Sequence, residues 1–306
     1  MNIAIIGASG FIGQHLTKRY LENGDSVTAF VPHVEKLNAL EKQYKNLKVI
    51  CTSFDDFDSL SSMVYENICF DIFYYLAWDG YGKATNDYKE QVKNIKPLCD
   101  AIVEAKKIGS KKFLFASSLS EYMIKEGSNL SHNEGGCCNV YGSAKHAARL
   151  LAQAVATQQD IPFISIAFAN TFGPGDMSHR SSNLFINQLL KGQDLNLTEG
   201  NHMYDWNYID DAVDGLKLAG EQGKPDELYY IGNRSRRPLK EIISEVRDIL
   251  APEAKINFGK YHEDFYMDYS CMDTHKLYRD TGYLARTNFK EAITATAEWV
   301  RTLNWY

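Results

Sequence analysis

A chain of 306 residues, 44% hydrophobic and 24% charged, can bury a large core and suits one α/β domain or a two-lobed enzyme. Its net charge of −6 supplies no basic field, which argues against a nucleic-acid partner. No stretch is apolar enough to span a bilayer, and the first predicted strand begins at residue 2, so a cytoplasmic protein without leader or membrane partner is expected.

The six cysteines show no Cys-x-x-Cys spacing, and the eight histidines show no ligand spacing with carboxylates or thiols. Reduced structural thiols and no metal site are therefore expected.

Asn2 to Gly13 reads Asn-Ile-Ala-Ile-Ile-Gly-Ala-Ser-Gly-Phe-Ile-Gly. Ile3 to Ile6 suits a strand buried on both faces, and Gln14 to Glu22 has helical periodicity through Leu16, Tyr20 and Leu21. Glycines at 7, 10 and 13 fall where a strand turns into a helix that receives a pyrophosphate. The free N–H groups and positive end of that helix face the phosphates. A plain structural turn is the rival reading. The place directly after the first strand favours dinucleotide binding by Gly7, Ser9, Gly10, Phe11, Ile12 and Gly13.

Ser26 to Val31 is a second strand, ending in Val31-Pro32-His33. In NAD-binding units a carboxylate commonly stands there and receives the adenosine ribose hydroxyls. Without it a 2′-phosphate is not repelled, and His33 or Lys36 faces it. The cofactor expectation tilts to NADP, with NAD as the alternative.

Leu47 to Cys51 reads as strand three and Asp55 to Tyr65 as a short helix. Phe70 to Ala77 is an apolar fourth strand whose end, Leu76-Ala77, runs into the loop Trp78-Asp79-Gly80-Tyr81-Gly82. Such a loop lies over the crevice where α/β sheets bind ligands. Tyr88 to Lys107 predicts one long amphipathic helix, Lys112 to Ser117 strand five, Gly127 to Gly136 a loop over the site, and Tyr141 to Val155 a helix. Pro162 to Phe168 is strand six, leading into Asn170-Thr171-Phe172-Gly173-Pro174-Gly175. Later, helices are predicted over Ser178 to Lys191 and Leu239 to Leu250, and a strand over Glu227 to Gly232. The alternation predicts an α/β fold, a Rossmann-type doubly wound parallel sheet over residues 1–172. A smaller C-terminal substrate-binding lobe takes 173–306, with 203–220 returning to the first domain.

Tyr141 and Lys145 stand four apart at a helix start and project from one face. An ammonium beside a phenol favours the phenolate, which suits carbonyl–alcohol interconversion near neutral pH. Ser118, just past strand five, is placed to hold the substrate oxygen. A second Tyr-x-x-x-Lys, Tyr44 to Lys48, runs into strand three without a serine-bearing strand end and reads as coincidence. A core tyrosine with a solvated lysine is the plain reading of Tyr141 too. The glycine loop and the Ser117-Ser118 strand end together argue against it.

The chain resembles extended short-chain dehydrogenase/reductases, the NAD-dependent epimerase/dehydratases acting on nucleotide sugars. The resemblance rests on Gly7 to Gly13, Leu76-Ala77, Ser117-Ser118 followed by Tyr122, Tyr141-Gly142-Ser143-Ala144-Lys145, Asn170 to Gly175, and Asp205-Trp206-Asn207-Tyr208-Ile209-Asp210-Asp211. It implies that Ser118, Tyr141 and Lys145 are catalytic and that Tyr141 and Lys145 also bind the cofactor, with Leu76 and Ala77 beside it. It implies a nucleotide-sugar substrate contacted by Asn170, and a homodimer pairing the helices of Tyr88–Lys107 and Tyr141–Val155.

The departures narrow the reading. Leu119-Ser120 follows Ser118 where 4,6-dehydratases of the family carry Asp-Glu, so dehydration is not expected. Tyr204 and Ala167 stand where the family often has arginine, which leaves Arg180, Arg234, Arg236 or Arg237 as candidates for the diphosphate. Trp78, after Leu76-Ala77, either lines the substrate crevice or closes the core. The expected activity is a 4-keto-6-deoxy nucleotide-sugar reductase. A 4-epimerase using retained NAD and a non-catalytic dinucleotide sensor are the alternatives.

Overall fold

A computed structural model of the chain describes residues 1–64, 68–82, 84–122, 140–262 and 269–303. The apolar runs form β1 (Asn2–Ile6), β2 (Ser26–Val31), β3 (Leu47–Cys51), β4 (Ile72–Tyr75), β5 (Phe113–Ala116) and β6 (Phe163–Phe168). With the later strand Leu228–Ile231 they make a seven-stranded sheet, ordered Leu228–Ile231, β6, β5, β4, β1, β2, β3. The pairings among β1 to β6 are all parallel. The chain winds outward from β1 to β3, then restarts on the other side of β1 with β4. The order therefore reverses between β1 and β4, and a crevice opens at their carboxyl ends.

Side-chain size sets the register of this sheet. Phe73, Phe113 and Phe163 are direct cross-strand partners, stacked at 5.4 and 6.2 Å between centroids. Ala4 on β1 faces Phe73, and its small side chain lets Phe30 of β2 stack on Phe73 at 6.0 Å across it. Each such aromatic pair adds about 0.5–1.5 kcal/mol beyond its buried area. On the opposite face Tyr20 of the helix Phe11–Glu22 and Tyr74 of β4 join their hydroxyls at 2.7 Å. That bond satisfies two phenols that are otherwise sealed from water.

The predicted long helix over 88–107 is two helices, Tyr88–Val92 and Ile95–Lys107. Pro97 explains the break, because its ring would meet the carbonyl of residue 93 and it has no N–H to give. The helix predicted over 55–65 is a 3₁₀ turn, Phe54–Asp56, followed by the short helix Leu60–Met63. The helix carrying Tyr141 runs longer than predicted, Val140–Gln158. The predicted loop Gly127 to Gly136 and the Cys137-Cys138 pair lie outside the described residues. Among the described residues no helix is long and apolar enough to cross a membrane.

Contacts divide the chain into two compact units, one of 1–168 with 216–229, the other of 169–215 with 230–306. The second unit is built from short strand pairs. Asn170–Phe172 runs parallel to Trp206–Tyr208, Met203–Tyr204 antiparallel to Arg237–Pro238, and Leu195–Leu197 parallel to Ile256–Phe258. Its core gathers Phe172, Leu189, Trp206, Ile243, Val246 and Ile293 from these strands and three helices, Ser181–Leu190, Leu239–Leu250 and Phe289–Thr302.

Candidate active site

The glycine loop leaves β1 at the reversal point. Gly7 has φ +82°, a conformation that side chains rarely adopt, and a β-carbon there would stand 2.9 Å from the Ala77 nitrogen. A β-carbon on Gly13 would collide with the Gly7 carbonyl and lie 2.8 Å from the Ala8 α-carbon. The sequence therefore lets the helix Phe11–Glu22 press onto the strand end, with Leu76-Ala77 lying against the loop. Gly10 caps the helix without a side-chain bond, and its first turn holds no acidic residue. That leaves the leading N–H groups and the positive helix end for an anion. Ser9 is half-buried and its carbonyl accepts Gln14 Nε2 at 2.7 Å. Phe11 lies edge-on to His15, and Ile12 is half-buried. These residues fit a dinucleotide pyrophosphate.

At the end of β2, His33 is well exposed, and its Nδ1 lies 3.5 Å from Glu35 Oε1. The turn thus carries a carboxylate four residues beyond Val31, the last residue of β2.

The neighbouring strand end connects this loop to the candidate chemistry. After Leu76-Ala77, the Trp78 ring covers the Lys145 ammonium at 3.8 Å and meets the Tyr141 ring edge-on at 6.2 Å. Lys145 is 3% exposed, and its Nζ donates to the Ala116 carbonyl at the exit of β5, 2.8 Å away. The ammonium lies 6.0 Å from the Tyr141 ring centre. Burial drives the Lys145 pKa well below the ordinary lysine value, and the Glu121 charge opposes that shift. Tyr81 adds a second ring against Tyr141, at 5.2 Å. Ser118, two residues beyond Ala116, is half-buried, and its Oγ accepts the Ser120 N–H at 3.1 Å.

The loop after β4 is braced by buried amides. Gln91 Oε1 accepts the Trp78 indole N–H at 2.8 Å, and Gln91 Nε2 donates to the Gly80 and Ala84 carbonyls. Asn94 Oδ1 accepts the Asp79 N–H at 2.7 Å. Trp78, which the sequence leaves between core and crevice, therefore lies on the Tyr141–Lys145 pair itself.

Sequence reasoning missed Glu121, a carboxyl with no exposure in the turn after Ser118. Its Oε2 accepts Arg149 Nε at 2.6 Å and faces His146 Nδ1 at 3.1 Å, and its Oε1 accepts the Ser117 hydroxyl. The spacing signals its partner Arg149 and not Glu121 itself. Tyr141, Lys145 and Arg149 recur every four residues, so one helix face carries all three.

A model of the NAD dependent epimerase/dehydratase family matches residues 3–232, three-quarters of the chain. The chain belongs to this family. It is 26% identical to a dTDP-glucose 4,6-dehydratase of Haemophilus influenzae, over 98% of this chain and 97% of that one. Its fold matches a UDP-glucose 4-epimerase of Thermotoga maritima solved with UDP-glucose, at TM-score 0.79 and 21% identity, covering 99% of each chain. It equally matches a UDP-glucuronic acid 4-epimerase of Bacillus cereus solved with UDP-glucuronic acid and NAD, at TM-score 0.79 and 22% identity, covering 99% of each chain.

The family's later motifs fall in the second unit. Asn170 pairs with Trp206, and its buried side-chain nitrogen has no hydrogen-bond partner among the described residues. Asp205 is a staple: buried, it accepts Tyr230 Oη at 2.5 Å, Asn233 N at 2.8 Å and Asn233 Nδ2 at 2.7 Å. Burial nevertheless raises its pKa. Tyr204, where the family often has arginine, packs on Tyr269 at 4.7 Å and lines a cavity of about 120 Å³ with Asp205, Tyr208, Asn233 and Arg237. Among the candidate arginines, Arg234 stacks on Tyr278 and Arg236 donates to the Tyr269 and Met272 carbonyls. Arg237 pairs with Glu245.

Proposed function

We propose that this family member is a nicotinamide-dependent oxidoreductase of a nucleotide-linked sugar, working as a 4-keto-6-deoxy-sugar reductase. The observation that carries the reading is Lys145, fastened to the exit of β5 two residues before Ser118, on the helix that presents Tyr141 one turn earlier. The strand end that packs on the glycine loop continues into Trp78, which touches both Lys145 and Tyr141. The glycine loop after β1, Trp78 after β4 and Ser118 after β5 thus lie at the carboxyl ends of adjacent strands.

A bound nicotinamide supplies or accepts the hydride at the sugar carbon. Gly7, Gly10 and Gly13 give the backbone room for the pyrophosphate, with Ser9, Phe11 and Ile12 around it and Leu76 and Ala77 alongside. Ser118 holds the carbonyl oxygen by a hydrogen bond. Tyr141 gives that oxygen its proton as the carbon is reduced, or removes it in the reverse direction. Lys145, a cation in a dry setting, stabilises the phenolate left behind and holds the nicotinamide ribose. Elimination of water needs a further acid–base pair. Leu119 and Ser120 are not one, and Glu121 is occupied by Ser117, Arg149 and His146.

The absence of a carboxylate within Val31-Pro32-His33 favours an exchangeable NADPH with His33 beside a 2′-phosphate, while Glu35, 3.5 Å from His33, favours NAD. A second reading is a 4-epimerase with retained NAD, favoured by the solved 4-epimerases that share the fold, one of them with NAD bound. A homodimer fits the half-exposed Leu150 and Leu151 on the helix Val140–Gln158 and Val92 on the adjacent short helix.

Purified protein incubated with NADPH or NADH and a panel of 4-keto-6-deoxy nucleotide sugars tests the first reading. Consumption of one reduced cofactor per sugar supports the reductase. Exchange of UDP-glucose and its 4-epimer without net consumption supports the epimerase. Dinucleotide binding with neither reaction indicates a sensor.

A further inference from the structure

Three joints tie the exit of β5 to the helix Val140–Gln158. Lys145 Nζ holds the Ala116 carbonyl. Gly142 presses on the turn so closely that a β-carbon there would lie 2.6 Å from the Ser120 carbonyl oxygen. The third joint is Glu121, whose two carboxylate oxygens reach in opposite directions. One takes the Ser117 hydroxyl beside Ser118, and the other takes Arg149 and His146 from the helix.

The groups facing the Glu121 carboxyl are thus Ser117 from the strand end and His146 and Arg149 from the helix, with the Lys145 charge close by. A buried ion pair is a poor source of stability, since desolvating both charges offsets most of their attraction. What it does provide is register, because charge-assisted bonds tolerate little displacement. This one spans the two segments whose spacing sets the distance from Ser118 to Tyr141.

We infer that Glu121 is a positioning residue for proton transfer. Its carboxylate clamps the Ser118 turn to the helix bearing Tyr141 and Lys145, and so keeps the two hydroxyls and the ammonium in reacting register. The inference rests on the oxidoreductase reading above for its consequence in turnover. The clamp itself is open to a measurement that needs no sugar.

The experiment compares wild type, E121Q, E121D and R149Q, each also in a Y141F background. Four quantities are read: NADH affinity by fluorescence titration, kcat and KM on the best keto sugar, and the Tyr141 ionisation as the ultraviolet difference between each protein and its Y141F partner. The clamp predicts that E121Q loses about ten- to a hundredfold in kcat, the cost of a misplacement of roughly an ångström, while NADH affinity changes little. It also predicts that the Tyr141 ionisation moves to higher pH, because the ammonium is no longer held in place. E121D keeps the negative charge and shortens the reach, so an upward move shared by E121Q and E121D is positioning and one confined to E121Q is a field effect.

R149Q opens the same joint from the helix side and serves if E121Q does not fold, read on kcat and NADH affinity alone, since losing a positive charge also moves the Tyr141 ionisation up. The E121Q/R149Q double variant should be no worse than the poorer single. Wild-type kcat in E121Q, or a Tyr141 ionisation unchanged, moved down or moved up in E121Q alone, overturns the inference. If wild type binds no dinucleotide and turns over no sugar, the oxidoreductase reading fails, and the Tyr141 ionisation alone still decides the clamp.

Discussion

The Trp78 indole covers the Lys145 ammonium at 3.8 Å, while the same ring meets Tyr141 edge-on. A ring face over a desolvated cation contributes on the order of 1–2 kcal/mol, and here it also fixes where the cation stands. Indole position, ammonium position and phenol orientation are one geometric unit.

That unit makes Trp78 testable. W78F keeps a ring over Lys145 and loses only the bond to Gln91, so it should retain kcat within about tenfold. W78A empties the site and should melt earlier, with a stability loss of about 2–4 kcal/mol and a far larger fall in kcat. Thermal melting and steady-state kinetics on the pair check this. Equal kinetics for the two variants would show that the ring does not govern Lys145.

Lys145 itself predicts a pH-dependent stability. Burial depresses its folded pKa below the ordinary lysine value, so the unfolded chain binds the proton more tightly. The penalty is complete below the folded pKa and fades as pH rises through it toward the ordinary value. K145M removes the penalty. It should therefore melt above wild type at neutral pH, with the gap closing as the solution becomes alkaline. A gap that does not change with pH would show that Lys145 carries no such penalty.

The glycine loop gives a paired test. G13A drives a methyl into the Gly7 carbonyl and should cost about 1–3 kcal/mol, with NADH affinity falling more than about tenfold. At Gly10 the added carbon meets only the Gly7 carbonyl oxygen, at 3.3 Å. G10A should therefore keep its melting temperature within a few degrees, while phosphate approach to the backbone suffers. Melting curves and NADH titrations separate the two effects.

The sequence made the sheet legible because its strands are near-continuous apolar runs between helical periods. Ile3–Ile6 and Ile72–Tyr75 needed no further context. Pro97 was visible, but its break was hidden by the apolar face that continues on both sides of it. The short strand pairs of the second unit, such as Met203–Tyr204 with Arg237–Pro238, have no periodic signal at two residues each. Glu121 was unreadable for a different reason. A glutamate in a polar turn looks solvated until the partners brought by a distant helix, Arg149 and His146, are known. The candidate arginines show the converse, since Arg236 and Arg237 are taken up by local carbonyls and by Glu245.

The most direct measurement is NADH or NADPH titration of Y141F beside its turnover of a 4-keto-6-deoxy nucleotide sugar. The expected result is dinucleotide affinity within about threefold of wild type and turnover reduced by about a thousandfold, as loss of a general acid requires. Turnover within tenfold of wild type, or a loss of binding that accounts for the loss of turnover, would contradict it.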